Sequence, residues 1–336
     1  MRARINKTYW RFTPHAIATA VLCSFIVTLL VLSLPPSARS GDSSFLVSVQ
    51  ESNTKSTLLS IQFRTVQAGW AVGAGGTILK TTDSGKTWRK VRSGTAAMLT
   101  SVFFVDQQVG WVTGTAGTLC RTSDGGETWM PNSLDTQQAL YHVSFTSPLV
   151  GWVIGGGGTI YHTVDGGEHW VEQSSGTNAT LYAARFLNDR QGTVVGALGT
   201  VLSTNDGGTT WVPRDAQEAV TLFDVFFADF SNGWAVGNAG ALFQTSDAGA
   251  RWIDRTLPCG KSCTKLIDLL KVRFTSPRSG WIVGEHGMVY RTSDAGFSWS
   301  EGKPVAKGAI FGLTFPDAAH GWAAGEQGMI LSIAPQ

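Results

Sequence analysis

Short segments in which apolar and polar residues alternate recur from about residue 44 to the end of the chain, and they come in groups of four. LYHVSF, GWVIG, GTIYHT and HWVEQ, within residues 140–173, show one group clearly. Alternation with period two, enriched in β-branched and aromatic residues and bounded by glycine-rich punctuation, predicts β-strands. No segment between them carries the 3.6-residue period of a helical repeat. The pair Gly69-Trp70 returns as Gly110-Trp111, Gly151-Trp152, Gly192-Thr193, Gly233-Trp234, Gly280-Trp281 and Gly321-Trp322. The spacing is 41 residues throughout, except for 47 between the fifth and sixth pairs. Four strands in about 41 residues is the length of one propeller blade. The expected fold class is therefore all-β, a seven-bladed β-propeller of four-stranded blades over residues 44–336.

Two further motifs punctuate each unit. Gly-x-x-Gly stands between the second and third strands, from Gly73/Gly76 to Gly325/Gly328, where a tight hairpin needs positive φ. A phosphate-cradling loop is excluded because no helix pattern follows and every unit carries the motif. Between the third and fourth strands lies Thr-x-Asp-x-Gly-x-x-Trp, with Asp83, Asp124, Asp165, Asp206, Asp247 and Asp294. A carboxylate repeated six times is expected to be structural, accepting backbone N–H bonds in a turn, rather than catalytic. The seventh unit ends before such a box and lacks a fourth strand. Counting back 16 residues from Phe63, the usual distance between box Trp and inner-strand Phe, reaches Val47 within FLVSV. The N-terminal strand is therefore expected to close the ring.

The first 40 residues differ in kind. A basic stretch from Arg2 to Arg11 precedes an apolar run over residues 16–34, then Pro35-Pro36 and the small-x-small triplet Ala38-Arg39-Ser40. This is export architecture, read either as a cleaved signal peptide or as one hydrophobic N-terminal helix retained as a membrane anchor. In both cases the body lies outside the cytoplasm, in the periplasm, a lumen or the medium. Five of the 26 bases lie in this segment with no acid among them, so the rest of the chain carries 21 bases against 24 acids, a net charge of −3. A mildly acidic body has no electrostatic footprint for nucleic acid. Cys259 and Cys263, inside the six-residue insertion, are expected to form a disulfide in an oxidising compartment, and Cys120 to remain a packed thiol.

Residues that vary at repeated positions point to function. If the first strand of each unit is innermost, His142, Arg185, Asp224, Lys271 and Arg273 fall beside the central channel, whether pairing with one another or receiving a partner. At the Gly-x-x-Gly tips, Asn238, Glu285, His286, Glu326 and Gln327 replace the small residues of the first four units and suggest a recognition rim. A sialidase or other glycosidase needs two suitably spaced carboxyls or a Tyr nucleophile. The channel set holds one carboxylate, and Tyr141 and Tyr182 take the opposite strand parity. The histidines share no metal-ligand spacing, so neither metal nor cofactor is expected.

GWxVGxxGTIL, T-x-D-x-G-x-T-W and the exported N-terminus together resemble the photosystem II stability and assembly factor family, within the bacterial neuraminidase repeat propellers. The resemblance covers residues 44–336. It implies a non-catalytic scaffold, lumenal or periplasmic, that binds a newly made reaction-centre protein. The chain itself is expected to be a monomer. The alternatives are a general envelope-protein interaction module and an exported Asp-box hydrolase.

Overall fold

The structure, a computed structural model, describes residues 45–132, 134–214, 220–257 and 267–335. The apolar N-terminal segment and the Cys259/Cys263 pair lie outside the described residues. Residues 44–336 form one compact unit. Its described strands make seven four-stranded antiparallel sheets, six of them consecutive in sequence. Their inner strands are Leu58–Phe63, Leu99–Phe104, Leu140–Phe145, Leu181–Phe186, Leu222–Phe227, Leu269–Phe274 and Ile310–Thr314. These strands pack side by side around the ring, the first against the last. In the seventh sheet Phe45–Gln50 lies antiparallel to Ile330–Pro335, with Val47 opposite Ile333. Up-and-down connectivity puts the Gly-x-x-Gly tips on one face of the disc. The turns between first and second strands and the Asp boxes lie on the other.

The Gly-Trp pair sets how blades interlock. The Phe ending each inner strand lies over its own blade's glycine: a Cβ on Gly110 would come within 2.6 Å of the Phe104 ring. The tryptophan reaches across to the next blade's Phe, as Trp70 on Phe104 at 3.6 Å, Trp152 on Phe186 at 3.5 Å and Trp322 on Phe63 at 3.7 Å between centroids. The box tryptophan closes the same Phe edge-on, as Trp129 does for Phe104. Each such pair adds about 0.5–1.5 kcal/mol beyond its buried area. Trp70, Trp111, Trp152 and Trp234 are among the largest fully buried side chains.

The box aspartates accept hydrogen bonds within their own turns. Thr81 Oγ1 and the Thr87 N–H donate to Asp83 Oδ1 at 2.8 and 2.9 Å, and Thr87 Oγ1 donates to Oδ2 at 2.6 Å. The Thr87 hydroxyl and then its N–H hold the Asp83 carboxyl down at about 2. The same bonds recur at Asp124, Asp206 and Asp294. Cys120 is free and buried within blade two, and burial raises its thiol pKa.

Candidate functional site

The inner strands enclose an axial cavity of about 210 Å³ lined by residues from all seven blades. Every charged residue that the sequence placed there is present: His142, Arg185, Asp224, Lys271 and Arg273. Asp224, 1% exposed, is the anchor. Its Oδ1 accepts from Lys271 Nζ at 3.2 Å, and its Oδ2 accepts from Arg273 Nη1 at 2.6 Å and from the Val272 N–H at 3.0 Å. Burial alone would raise this carboxyl; Arg273, Lys271 and the N–H outweigh it and hold it below the ordinary value. With its oxygens engaged by cations and an amide, Asp224 is fixed as an anion.

Arg185 stands differently. Its guanidinium lies over the Phe226 ring at 5.1 Å, and Arg273 lies over the same ring at 5.7 Å. Arg185 is exposed to solvent while lining the channel wall. Among the described residues it has no acidic partner, because Asp224 is engaged by the neighbouring blade. Desolvation and then the Arg273 charge weaken its hold on its proton, with Asp224 opposing, but a guanidinium keeps its charge in proteins. The cluster thus carries three cations against one anion. His142, half-buried, stays neutral: burial and then Lys271 push its pKa down to about 3.

Tyr141 departs from its expected parity. The pairing of Leu140–Phe145 with Gly151–Gly155 shifts register between Leu140 and His142, and six other inner strands shift at the same point. A bulge at that step turns two successive side chains toward the axis, so Tyr141 lines the cavity beside His142. Its ring meets Tyr182 edge-on at 5.1 Å, and Tyr182 meets Phe223 at 5.7 Å. These three half-buried rings form an arc over blades three to five near the tip end of the channel.

Strand order sets where the cations sit. Arg185 and Arg273 pair with Thr193 and Trp281, next to the turns opposite the tips. Arg185 also lines a shallow surface recess with Asn188, Asp189 and Arg190. The varied tips therefore lie at the other end of the axis from the guanidiniums. Two of them serve the fold: Asn238 Oδ1 accepts from the Thr221 N–H at 2.8 Å, and Glu285 Oε2 from the Asp268 N–H at 3.2 Å. His286, Glu326 and Gln327 are exposed. Among the described residues no group of three or more His, Cys, Asp or Glu side chains is placed to hold a metal ion.

A ring of Asp-box blades around a charged, narrow axial channel defines the class: a seven-bladed Asp-box propeller. The chain belongs to the photosynthesis system II assembly factor YCF48 family, whose model matches residues 40–131, 87–175 and 215–307. Solved structures of the same fold include YCF48 bound to D1 peptide, at 20% identity over 87% of this chain and 95% of that one, TM-score 0.72. YCF48 from Cyanidioschyzon merolae matches at 20% identity over 86% and 98%, also at 0.72. Virginiamycin B lyase from Staphylococcus aureus matches at 13% identity over 87% and 100%, at 0.75, so the same ring also carries enzymes. No curated protein matches the chain.

Proposed function

We propose that this protein is a non-catalytic assembly scaffold that receives a segment of a protein partner at its axial channel, the partner being a reaction-centre subunit of the D1 kind. The observation that carries the reading is Arg185, a water-accessible guanidinium walled into the channel with no acid of its own. A carboxylate from a partner's acidic side chain or chain end is its chemical complement, and charge-assisted bonds are the strong ones. The family membership and the relative solved with a D1 peptide support a peptide as ligand. The Tyr141, Tyr182 and Phe223 arc supplies apolar contact toward the other end, and the exposed tips His286, Glu326 and Gln327 a secondary rim.

The non-catalytic part rests on Asp224. A glycosidase acid needs a carboxyl whose pKa is raised; this one is lowered and its oxygens are occupied. We also infer that residues 1–40 export the chain and leave or anchor the propeller outside the cytoplasm, that it acts as a monomer, and that Phe45–Gln50 closes the ring.

The test is fluorescence anisotropy with overlapping D1 peptides, comparing the wild type with Arg185→Gln. Losing one charge-assisted contact worth about 1.5–3 kcal/mol weakens binding by roughly ten- to a hundredfold, with the melting temperature unchanged. Equal affinity in the two proteins, or turnover of sialosides or xyloglucan by the wild type, would overturn the reading.

A further inference from the structure

Charge is shared unevenly around the ring. Residues 44–98 hold seven bases and two acids, whereas residues 99–336 hold 14 bases and 21 acids. The surplus bases gather on the outer edge of blade one. Lys86, Arg89, Lys90 and Arg92 take four positions about the box Trp88, and the same four positions of blades two to six carry one base at most. All four are exposed. Glu127 engages Arg89 at 2.8 Å and Lys80 at 2.7 Å. Among the described residues Lys86, Lys90 and Arg92 enter no ion pair. Lys86 feels the charge of Asp83, but that carboxylate already accepts from Thr81 and Thr87.

The adjoining edge is apolar. Phe45–Gln50, the outermost strand of blade seven, is tied to blade one through Gln50, which donates from Nε2 to Ser84 O at 3.1 Å and accepts from Trp88 Nε1 at 3.2 Å. It runs for six residues, where the outermost strands of the other blades run for two or three, and it carries no charge. On it Leu46 is 54% and Val49 80% exposed. Exposed edge strands are ordinarily kept short, charged or covered, and this one is long and uncharged. The chain also enters the ring here, since only ten residues separate the apolar run of residues 16–34 from Phe45.

We propose that this edge, made by the outermost strands of blades seven and one, rests on a lipid surface with anionic headgroups. Lys86, Lys90 and Arg92 meet the headgroup phosphates, and Leu46 and Val49 enter the boundary between headgroups and acyl chains. Each base close to an anionic bilayer raises partition by roughly fivefold, and three uncommitted bases lie on this one edge. A bilayer is favoured over a soluble acidic protein because, of the seven outer edges, this is the one that the chain joins to its apolar run. The net charge of the body conceals the patch, since residues 99–191, with eight acids and three bases, offset it. The proposal goes beyond the channel reading and makes no use of Arg185 or Asp224.

The test uses the full chain with vesicles of phosphatidylcholine, alone or mixed with phosphatidylglycerol, and follows lysine acetylation over time by mass spectrometry. Both compositions offer the apolar run the same interior, so a difference between them reports the edge of the propeller. Phosphatidylglycerol should slow the labelling of Lys86 and Lys90 about tenfold or more, and half-molar salt should remove that protection. Arg92→Glu should weaken it roughly fivefold or more, and Val49→Ser in part. Both replaced side chains are exposed, so the melting temperature should hold. Equal labelling in the two kinds of vesicle, or protection that both variants keep in full, would overturn the proposal. Protection of the same lysines by soluble polyglutamate, equal to that by the vesicles, would overturn a lipid as the occupant and assign the edge to an acidic polypeptide.

Discussion

Replacing Asp224 with alanine is the sharpest perturbation of the channel. Its carboxylate is 1% exposed and neutralises two cations while accepting the Val272 N–H. Unit charges 4 Å apart at an effective dielectric near 20 attract by about 4 kcal/mol, but desolvation offsets much of this. The net cost of breaking a buried pair is about 3–5 kcal/mol, because the stranded partners cannot regain water. Here the stranded partners are Lys271 and Arg273, 20% and 25% exposed, with Arg185 beside them, so the cluster goes from three cations against one anion to three cations alone. For a propeller of this size, whose unfolding entropy is about 0.6 kcal/mol/K, the melting temperature should fall by roughly 5–8 °C. Thermal unfolding followed by near-ultraviolet circular dichroism at pH 7.5 reads it. Asp224→Asn keeps an acceptor for Val272 and should lose less. One molar salt, which screens the remaining repulsion, should recover part of the loss in both variants. A fall below about 2 °C for Asp224→Ala, which for a domain this large is little more than about 1 kcal/mol, would refute the reasoning.

Two other predictions concern stability. His142 titrates at about 3 in the folded protein against 6.5 unfolded, so between those values the unfolded chain holds the extra proton and stability falls as pH falls. From pH 7 to 5 the loss from this residue is at most about 2 kcal/mol. Denaturant titrations of His142→Gln should show a shallower decline over that range; parallel declines would remove the effect. Deleting residues 44–50 takes away the neighbour of Ile330–Pro335 and should lower the single melting transition of the whole propeller. An unchanged melting temperature would show that this strand does not close the ring.

Much of this was legible in the sequence because a repeat states its own architecture. The Gly-Trp spacing gave the blade count, and the six box aspartates could be set aside from chemistry before their bonds were seen. The channel charges were equally readable, since inner-strand parity gathers His142, Arg185, Asp224, Lys271 and Arg273 from three-residue clues. Tyr141 was not, because a bulge in every inner strand overrides simple alternation at that step. Nor was the separation of the cations from the tips, which follows from where Arg185 and Arg273 fall along their strands.

The central claim, a protein segment held at the axial channel, is tested most directly by co-purification from the host's native membranes. Tagged wild type and Arg185→Gln, matched in amount and melting temperature, are recovered side by side and D1 is quantified by mass spectrometry. Recovery of D1 with the wild type and its loss by roughly tenfold or more with Arg185→Gln is the predicted result, in line with one charge-assisted contact. Equal recovery of D1 with both proteins, or none with the wild type, would contradict it.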